Sequence, residues 1–421
     1  MQRFLLLLVL NVTVSISPAL AENWPQWRGP KNDGHSGEKN VPTEWGADKN
    51  IAWKLPLPGQ GSSTPCVWDD KIFVTSPDGD DIVLMCVGTD GTVKWKKPIS
   101  ATGKVVYKNE KANDASASCS CDGKHVWAFS GNGALVCFTM YGEQVWKNDL
   151  QKYGEFKIQF GCHWTPVLYK GVLYTQVMHR NAQILVAFDA ATGKELWKVN
   201  RPGYGKGESP DVYSSAFIWE GDGGPLLVAH GNDYCTGHKL ADGSEVWRVA
   251  GLNPTSNGAW RFISCPLLSP DLIVVPSCKD GPTVAFNPVG AHGTIDPESK
   301  SELWRITPSV IRTPDVVTPT RVGDIVYVSA DGPLAALDAK TGKLLYREAA
   351  SKGIHRAHLV VADGNLYVTS TTGAIDVVQT GPAFKILATN TVPDILYASP
   401  AVSNGRIYLR GWKYLWAIGP K

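Results

Sequence analysis

Residues with chemically useful side chains are concentrated in the stretches that lead into predicted strands. These stretches are richer in imidazole, guanidinium, carboxylate and aromatic groups than the turns between later strands. The candidate ligand-binding residues are His163, Trp164, Asp211, Tyr213, Trp260, Arg261, Arg312, Asp315, His355, Arg356, His358, Asp394 and Tyr397, with Gln159, Cys162 and Asn257 beside them. Brought together, such groups form a mixed-charge pocket with aromatic walls, which suits a small organic ligand. The alternative is a wet channel whose polar lining binds nothing specific.

Metal binding is one chemistry that these residues suggest, because Cys162, His163, His355 and His358 carry ligating atoms. These residues come from distant parts of the chain. The spacing His355-x-x-His358 places the two rings on opposite faces of a strand, since partners on one face are two residues apart. No metal site is therefore predicted.

Catalytic signatures are missing from the sequence. There is no G-x-S-x-G elbow, H-E-x-x-H helix, Walker loop or dinucleotide fingerprint. Asp78, Asp80 and Asp81 lie in a predicted turn, where solvated carboxylates and a weak surface Ca²⁺ site are the alternatives. No catalytic residue is predicted, and the sequence favours a non-enzymatic function without deciding the question.

A repeat must position these residues. Its clearest copy is Ala187 to Trp197, with the pattern A-x-D-x-x-T-G-x-x-x-W, and Ala336 to Tyr346 repeats it. An apolar strand, a glycine turn and a second strand with a large aromatic residue explain the pattern. Blocks such as Thr165-Pro166 and Thr318-Pro319 precede further alternating strands. Each unit therefore has four antiparallel strands, as in a blade of a β-propeller.

The number of units predicts an all-β, eight-bladed β-propeller. The aromatic anchor residues of the outer strands are Trp53, Trp95, Trp146, Trp197, Trp247, Trp304 and Tyr346, and an eighth outer strand lies near Phe384. The strand around Trp53 has no inner strands before it, and the last unit, 397–418, lacks an outer strand. The two fragments complete one blade, so an N-terminal strand closes the ring and leaves no sheet edge exposed. The predicted propeller spans 51–421.

Two segments precede the propeller. Residues 1–21 combine a basic start, an apolar run and an A-x-A site, which predicts a cleaved secretory signal and a periplasmic or secreted protein. Residues 22–50 carry the W-x-x-W-R-G pattern from Trp24 to Gly29. They have no strand pattern, and we expect them to pack on one face of the ring with Trp24 and Trp27 as plugs. No later segment is apolar enough to span a membrane, and a net charge of +2 does not indicate nucleic-acid binding.

The repeats resemble the PQQ-type (quinoprotein) propeller repeats of quinoprotein alcohol dehydrogenases and those of BamB, the outer-membrane assembly lipoprotein. The resemblance covers nearly all of 51–418, and the N-terminal pattern resembles bacterial PQQ-binding-like propeller proteins. It implies ligand binding at a funnel near the loops that enter the inner strands. The chain lacks the adjacent Cys-Cys pair of those dehydrogenases, having only Cys119-Ser120-Cys121, and it lacks a haem motif and the lipidated cysteine of BamB.

These observations lead to three functional hypotheses. The first is an exported, monomeric binding or assembly scaffold, whose partners are other envelope proteins, a small molecule or a glycan. The second is a PQQ-dependent dehydrogenase, although no cofactor is evident from the residues. The third is a binder of glycans or sulfated glycans, for which Trp164, Trp260 and Arg261 would supply stacking faces and a cation.

Overall fold

Alternating apolar and polar residues, separated by glycine turns, produce an almost entirely β structure. The computed structural model describes residues 22–47, 49–101 and 113–420. Within them, helical structure is limited to a 3₁₀ turn, Leu150–Tyr153. The predicted secretory signal, 1–21, lies outside the described residues.

The strands form eight four-stranded antiparallel blades, which confirms the predicted architecture. Strands β1 (His35–Ser36) and β2 (Ile51–Pro56) come first. Blade 1 comprises β3 (Cys66–Trp68), β4 (Lys71–Asp78), β5 (Asp81–Gly88) and β6 (Val93–Ala101). Blade 2 comprises β7 (Ser120–Cys121), β8 (His125–Phe129), β9 (Ala134–Thr139) and β10 (Gln144–Asp149). Blade 3 comprises β11 (Val167–Tyr169), β12 (Val172–His179), β13 (Ala182–Asp189) and β14 (Glu195–Asn200).

The remaining blades follow the same order, from the inner strand to the outer strand. Blade 4 comprises β15 (Phe217–Trp219), β16 (Leu226–Gly231), β17 (Tyr234–Lys239) and β18 (Glu245–Val249). Blade 5 comprises β19 (Leu267–Ser269), β20 (Leu272–Pro276) and β21 (Thr283–Phe286), then a loop that contains β22 (Gly293–Ile295), and finally β23 (Glu302–Ile306). Blade 6 comprises β24 (Thr320–Val322), β25 (Ile325–Ser329), β26 (Pro333–Asp338) and β27 (Leu344–Ala349). Blade 7 comprises β28 (Val360–Ala362), β29 (Asn365–Thr369), β30 (Ala374–Gln379) and β31 (Ile386–Thr391).

Blade 8 contains the seam of the ring. It comprises β32 (Ala401–Ser403), β33 (Arg406–Arg410), β34 (Tyr414–Ile418) and, as its outer strand, β2. Strand β2 pairs with β34 in antiparallel register, with Trp53 opposite Ala417. The predicted closure of the ring by the N-terminal strand is confirmed.

Two blades gain a short fifth strand that the sequence pattern did not predict. Strand β22 pairs in parallel with β18 of blade 4. Strand β1 pairs in parallel with β28 of blade 7, with His35 opposite Val361. Residues 22–50 show no strand pattern in the sequence, and yet they contain β1. The reason is that β1 satisfies its backbone against an existing inner strand and needs no apolar alternation of its own.

The repeated tryptophan holds five of the blades to the next one. The indole Nε1–H donates to a carbonyl of the following blade at 2.8–3.1 Å in Trp53, Trp95, Trp146, Trp197 and Trp304. Each indole also covers the turn glycine of that blade. A Cβ on these glycines would lie 2.6–2.9 Å from the ring, at Gly91, Gly142, Gly193, Gly243 and Gly342. The repeat glycine therefore supplies a positive φ and also leaves room for the neighbouring indole.

Trp247 is an exception to this arrangement. It is fully buried, it packs edge-on against Phe286 at 5.0 Å, and its indole nitrogen has no partner among the described residues. Blade 5 replaces the short turn by the loop that carries β22, which lies beside β18 and covers this tryptophan. The insertion before Trp304 therefore explains why Trp247 departs from the pattern.

The core lies between blades, because each buried cluster mixes side chains of neighbouring blades.

All nine cysteines fall in described positions, and all are buried and unpaired. In the described ranges, no helix is both long and apolar enough to cross a membrane.

Candidate functional site

A cavity of about 310 Å³ lies on the propeller axis, at the end of the ring where the inner strands begin. Seven of the candidate residues line it: His163, Tyr213, Arg261, Asp315, Arg356, His358 and Tyr397. Its size is at the lower end of the range for small-molecule sites.

A closed belt of eight hydrogen bonds encircles the axis at this level. In every blade, the backbone N–H of the residue that leads into the inner strand donates to the side chain of the equivalent residue in the next blade. The axial belt consists, in order, of Thr64, Ser118, Thr165, Ser215, Cys265, Thr318, His358 and Ser399, and Ser399 donates back to Thr64. The donor–acceptor distances are 2.7–3.2 Å.

The axial belt explains the Thr-Pro and Ser-Pro blocks of the sequence. A hydroxyl at this position satisfies a buried backbone N–H of the preceding blade, which would otherwise lose its hydrogen bond on folding. Thr64, Ser118, Thr165, His358 and Ser399 also line the cavity. The wall of the pocket is thus part of the device that fixes the blades relative to one another.

His358 occupies a belt position that a hydroxyl fills in six other blades. Thr318 donates its backbone N–H to His358 Nδ1 at 2.7 Å, so Nδ1 is an acceptor and the ring proton resides on Nε2. Burial, together with the nearby Arg28 cation, holds the pKa of His358 well below its usual value. His358 is therefore neutral, with one fixed tautomer.

The N-terminal segment closes the end of the pocket that lies deeper in the channel. Residues 22–36, here called the plug, cross the channel further along the inner strands than the axial belt. The plug contacts Val67, Cys121, Leu168, Phe217, Val361 and Ser403, which belong to the inner strands of six blades. Trp24 is fully buried between them. Trp27 lines the cavity and meets the His358 ring edge-on at 4.7 Å, so it forms the floor.

The charged side chains on the pocket wall are those of Arg261, Arg356 and Asp315. Arg261 donates to Glu208 at 2.8 Å and lies 4.5 Å over the Phe160 ring. Arg356 lies 3.6 Å from Asp331, which it shares with Arg312 at 3.0 Å. Because one carboxylate faces two guanidinium groups, this part of the rim retains positive charge.

The rest of the wall is aromatic and neutral. His163 donates from Nε2 to the Phe160 carbonyl, and burial lowers its pKa. Tyr213 lies 5.9 Å from the His163 ring and 6.1 Å from Phe160. Burial raises the Tyr213 pKa, so its buried hydroxyl stays protonated. A buried hydroxyl of this kind is well placed to bond a ligand.

The other six candidate residues lie away from the cavity. Trp164 is fully buried between Phe129 and Phe156. Trp260 is 6% exposed and lies beside Gly281.

The polar members of that group are engaged in structural contacts. Asp211 is buried in an ion pair with Arg180, and Arg312 pairs with Asp331 at 3.0 Å. His355 bonds to Ser329 at 2.9 Å. Asp394 accepts from the backbone N–H groups of Lys413 and Tyr414 and thereby holds the loop before β34.

Several pocket residues do not appear among the sequence candidates. They include Phe160, Ile263, the belt hydroxyls and Trp27, which the sequence predicted as a plug and not as a site residue. The recurrent Thr-Pro and Ser-Pro blocks were the one available signal for the hydroxyls.

The fold and the axial pocket define a quinoprotein-type β-propeller. A family model described as outer membrane protein assembly factor BamB matches residues 97–262, 180–291 and 291–383, more than half of the chain. The chain belongs to this family. No curated protein sequence matches it.

Similar solved structures include, by their descriptions, a BamB protein and several dehydrogenases. BamB from Moraxella catarrhalis is 13% identical with a TM-score of 0.61, and the match covers 87% of this chain and 99% of that one. A europium-containing methanol dehydrogenase is 11% identical with a TM-score of 0.65, covering 93% and 90%. The quinohemoprotein alcohol dehydrogenase from Comamonas testosteroni is 12% identical with a TM-score of 0.63, covering 95% and 81%. Such low identities show the fold alone.

The pocket residues fit only part of what a quinone cofactor would require. Two guanidinium groups and several flat rings suit a planar polycarboxylate. Ligands for a metal ion beside such a cofactor are missing, since the described residues contain no cluster of three or more His, Cys, Asp or Glu able to hold one. The lone pair of His358 Nδ1 is occupied by the Thr318 N–H, and its Nε2 carries the ring proton, so this ring offers no free lone pair to a metal. The donor set therefore does not fit a metal–quinone centre.

Proposed function

We propose that this protein is an exported, non-catalytic binding propeller that holds a small organic anion with a flat ring in its axial pocket. The observation that carries the proposal is the blind cavity itself, with Arg261 and Arg356 on its wall and Trp27 as its floor. Guanidinium groups recognise carboxylates and sulfates by paired hydrogen bonds, and aromatic faces stack on flat rings.

Burial of the neutral groups supports an orienting role for them. His358 has a fixed tautomer, and Tyr213 is a buried residue of the cavity wall with a protonated hydroxyl. Neither group changes charge near neutral pH, because burial lowers the His358 pKa and raises the Tyr213 pKa. Both suit recognition by hydrogen bonding, and they do not suit proton transfer near pH 7.

Membership in the BamB family supports a place in the cell envelope, with other envelope proteins as partners. The sequence pattern of 1–21 supports export. The expected mature protein begins at Glu22, which intact mass measurement of protein from the periplasm or medium would test. A retained N-terminus on all of the protein would contradict export.

The ligand proposal is tested by calorimetric titration of the purified protein. The probes are aromatic mono-, di- and tricarboxylates, PQQ with and without Ca²⁺, and neutral and sulfated disaccharides. We expect binding of at least one flat anion, and no dependence of PQQ binding on Ca²⁺. Preference for neutral disaccharides, or no binding by any probe, would overturn the proposal. Oxidation of an added alcohol in the presence of PQQ and Ca²⁺ would establish the dehydrogenase alternative instead.

Arg356 and Arg312 provide a matched pair of variants. Both pair with Asp331, but only Arg356 lines the cavity. Arg356→Gln should weaken binding of the anionic probe by about tenfold or more, because a charge-assisted contact is lost. Arg312→Gln should change it by less than about twofold, since the ligand is out of reach. Equal effects of the two substitutions would argue against a pocket-bound anion.

The glycan hypothesis loses much of its original motivation. Trp164 and Trp260, the two tryptophans that suggested it, are buried outside the cavity. A sulfated sugar remains within the proposed ligand class only through its anionic group, and the sulfated disaccharide in the probe set tests it.

A further inference from the structure

Two buried cysteines face each other across the junction of blades 1 and 2. Cys66 begins β3 and Cys121 ends β7, and these are the inner strands of adjacent blades. Cys66 is 0% and Cys121 2% exposed. Their Sγ atoms are 3.0 Å apart, within about 1 Å of the bonded distance in a disulfide.

The plug is anchored at the same point. The Pro25 carbonyl accepts from the backbone N–H of Cys121 at 2.8 Å and from the Cys66 thiol at 2.9 Å. On either side of Pro25, Trp24 bridges to Val67 and Gln26 to Ser120. If Cys66 gave up its thiol proton, Pro25 would keep the Cys121 N–H, so no buried carbonyl would be left unpaired.

We infer that Cys66 and Cys121 form a disulfide that links blades 1 and 2 beneath the plug. Two thiols lose two protons and two electrons as the S–S bond forms. A disulfide oxidant of low molecular weight, or a disulfide-donating oxidoreductase, is reduced to two thiols in the same exchange. The cross-link ties together two inner strands that are separated by more than fifty residues of chain.

The position of the pair decides when this oxidation takes place. Burial and the adjacent Cys121 raise the pKa of Cys66 well above its ordinary value, so the thiol of the folded protein is protonated and inaccessible. A thiolate is the attacking species. The bond therefore forms during folding, before blades 1 and 2 close around it. Once formed, it is shielded from reductants.

Occurrence of this bond in cells rests on the export part of the proposed function, because disulfides persist in oxidising compartments. The deciding experiment does not rest on it. Purified, reduced and unfolded protein is refolded in a mixture of oxidised and reduced glutathione, and in reduced glutathione alone. Remaining thiols are alkylated in denaturant and located by peptide mass mapping. The far-ultraviolet spectrum establishes that each sample has folded.

In the oxidised mixture, we expect two of the nine cysteines to be protected and joined as Cys66–Cys121. In reduced glutathione alone, all nine should be alkylated. The oxidised form should melt a few degrees above the reduced form. Folded protein from the oxidised mixture with nine free thiols, or with a different pair joined, would overturn the inference.

Cys119 supplies the matched control, since it lies in the same buried cluster two residues from Cys121. Cys119→Ala should keep the Cys66–Cys121 bond and the melting difference between oxidised and reduced protein. Cys121→Ala should abolish both and leave Cys66 alkylated. If Cys119→Ala removes the protected pair instead, the assignment to Cys121 is wrong. Because the exported protein is assayed separately by its mass, a failure of export would not be confused with a failure of the bond.

Discussion

His358 differs from the other axial-belt residues because it carries a titratable ring. Its ring Nδ1 accepts the Thr318 backbone N–H at 2.7 Å, and its own backbone N–H donates to the Ser399 hydroxyl. The ring also lines the pocket. A single side chain thus contributes to ring closure and to the ligand site. The consequences of changing it should separate these two roles.

Substitution of His358 tests its role in the axial belt. His358→Ala leaves the buried Thr318 N–H without an acceptor, and it should lower the free energy of unfolding by about 1–3 kcal/mol. His358→Thr introduces the hydroxyl that Thr64, Thr165 and Thr318 use at the same position, and it should recover most of the loss. Urea unfolding at pH 7.5 measures both variants. Equal destabilisation by alanine and threonine would mean that the hydrogen bond contributes little.

The lowered pKa values of buried histidines determine how the free energy of unfolding depends on pH. Burial lowers the pKa of His230 to about 3. The unfolded chain takes up a proton near pH 6.5, whereas the native state does not until about pH 3. The contribution of His230 to stability is therefore present above pH 6.5 and is lost as the pH falls towards 3.

His230→Phe should reduce the acid sensitivity of the protein. Below pH 6, one buried histidine that stays neutral lowers the free energy of unfolding by about 1.4 kcal/mol for each pH unit of acidification. The variant should lose stability less steeply than the wild type between pH 6 and pH 4.5, as measured by urea unfolding at each pH. His179 and His238 have lowered pKa values for the same reason, so part of the slope will remain. Identical slopes for variant and wild type would contradict the assignment.

The element that repeats is a strand–turn–strand unit docked on its neighbour. In five blades, the turn glycine lies under the tryptophan of the preceding blade, as Gly193 lies under Trp146. Other turn glycines have a positive φ and open space around them, as does Gly171. The two kinds of glycine look alike in the sequence. One kind is needed only for its positive φ, whereas the other also leaves room for a tryptophan ring.

Alanine substitution should distinguish these two kinds of glycine. Gly171 has a φ of +80° with nothing within 4 Å, so Gly171→Ala should cost about 1–2 kcal/mol of backbone strain. Gly193 has a φ of +71°, and a Cβ there would lie 2.6 Å from the Trp146 ring, so Gly193→Ala should cost more. Thermal unfolding of both variants provides the comparison. A Gly193→Ala variant as stable as Gly171→Ala would contradict blade docking by the indole.

At the scale of the whole molecule, the ring depends on a strand from the opposite end of the chain. Strand β2 covers β34, and the axial belt closes from Ser399 back to Thr64. Without β2, blade 8 would expose the edge of β34, and an unpaired edge recruits other strands. The propeller is therefore one cooperative unit and not a row of independent blades.

A chain that begins at residue 57 should reveal this dependence. It should self-associate in light-scattering measurements, whereas the intact chain should remain monomeric. A synthetic peptide of residues 50–57 should bind the shortened chain and suppress association by adding the missing strand. The same peptide with Trp53→Ala should bind more weakly, because the Trp53 contact with Gly91 and the Thr89 carbonyl is lost. Binding of both peptides with equal affinity would contradict the role of Trp53.

The sequence by itself determined the all-β class, the eight blades and the seam, because these depend on a local pattern that recurs. A turn glycine followed by a large aromatic residue is visible in most copies, and the strand at Trp53 is visible as one that lacks inner strands before it. It also named seven of the residues that line the cavity, since polar and aromatic groups cluster where inner strands begin.

Only the tertiary structure decided which of these side chains meet. Trp164 and His163 are neighbours in the chain, but one is buried in the core and the other lines the pocket. The axial belt, the floor at Trp27 and the facing pair Cys66 and Cys121 join residues that are far apart in sequence. Such contacts depend on how eight blades close around one axis, and no local pattern encodes that relation.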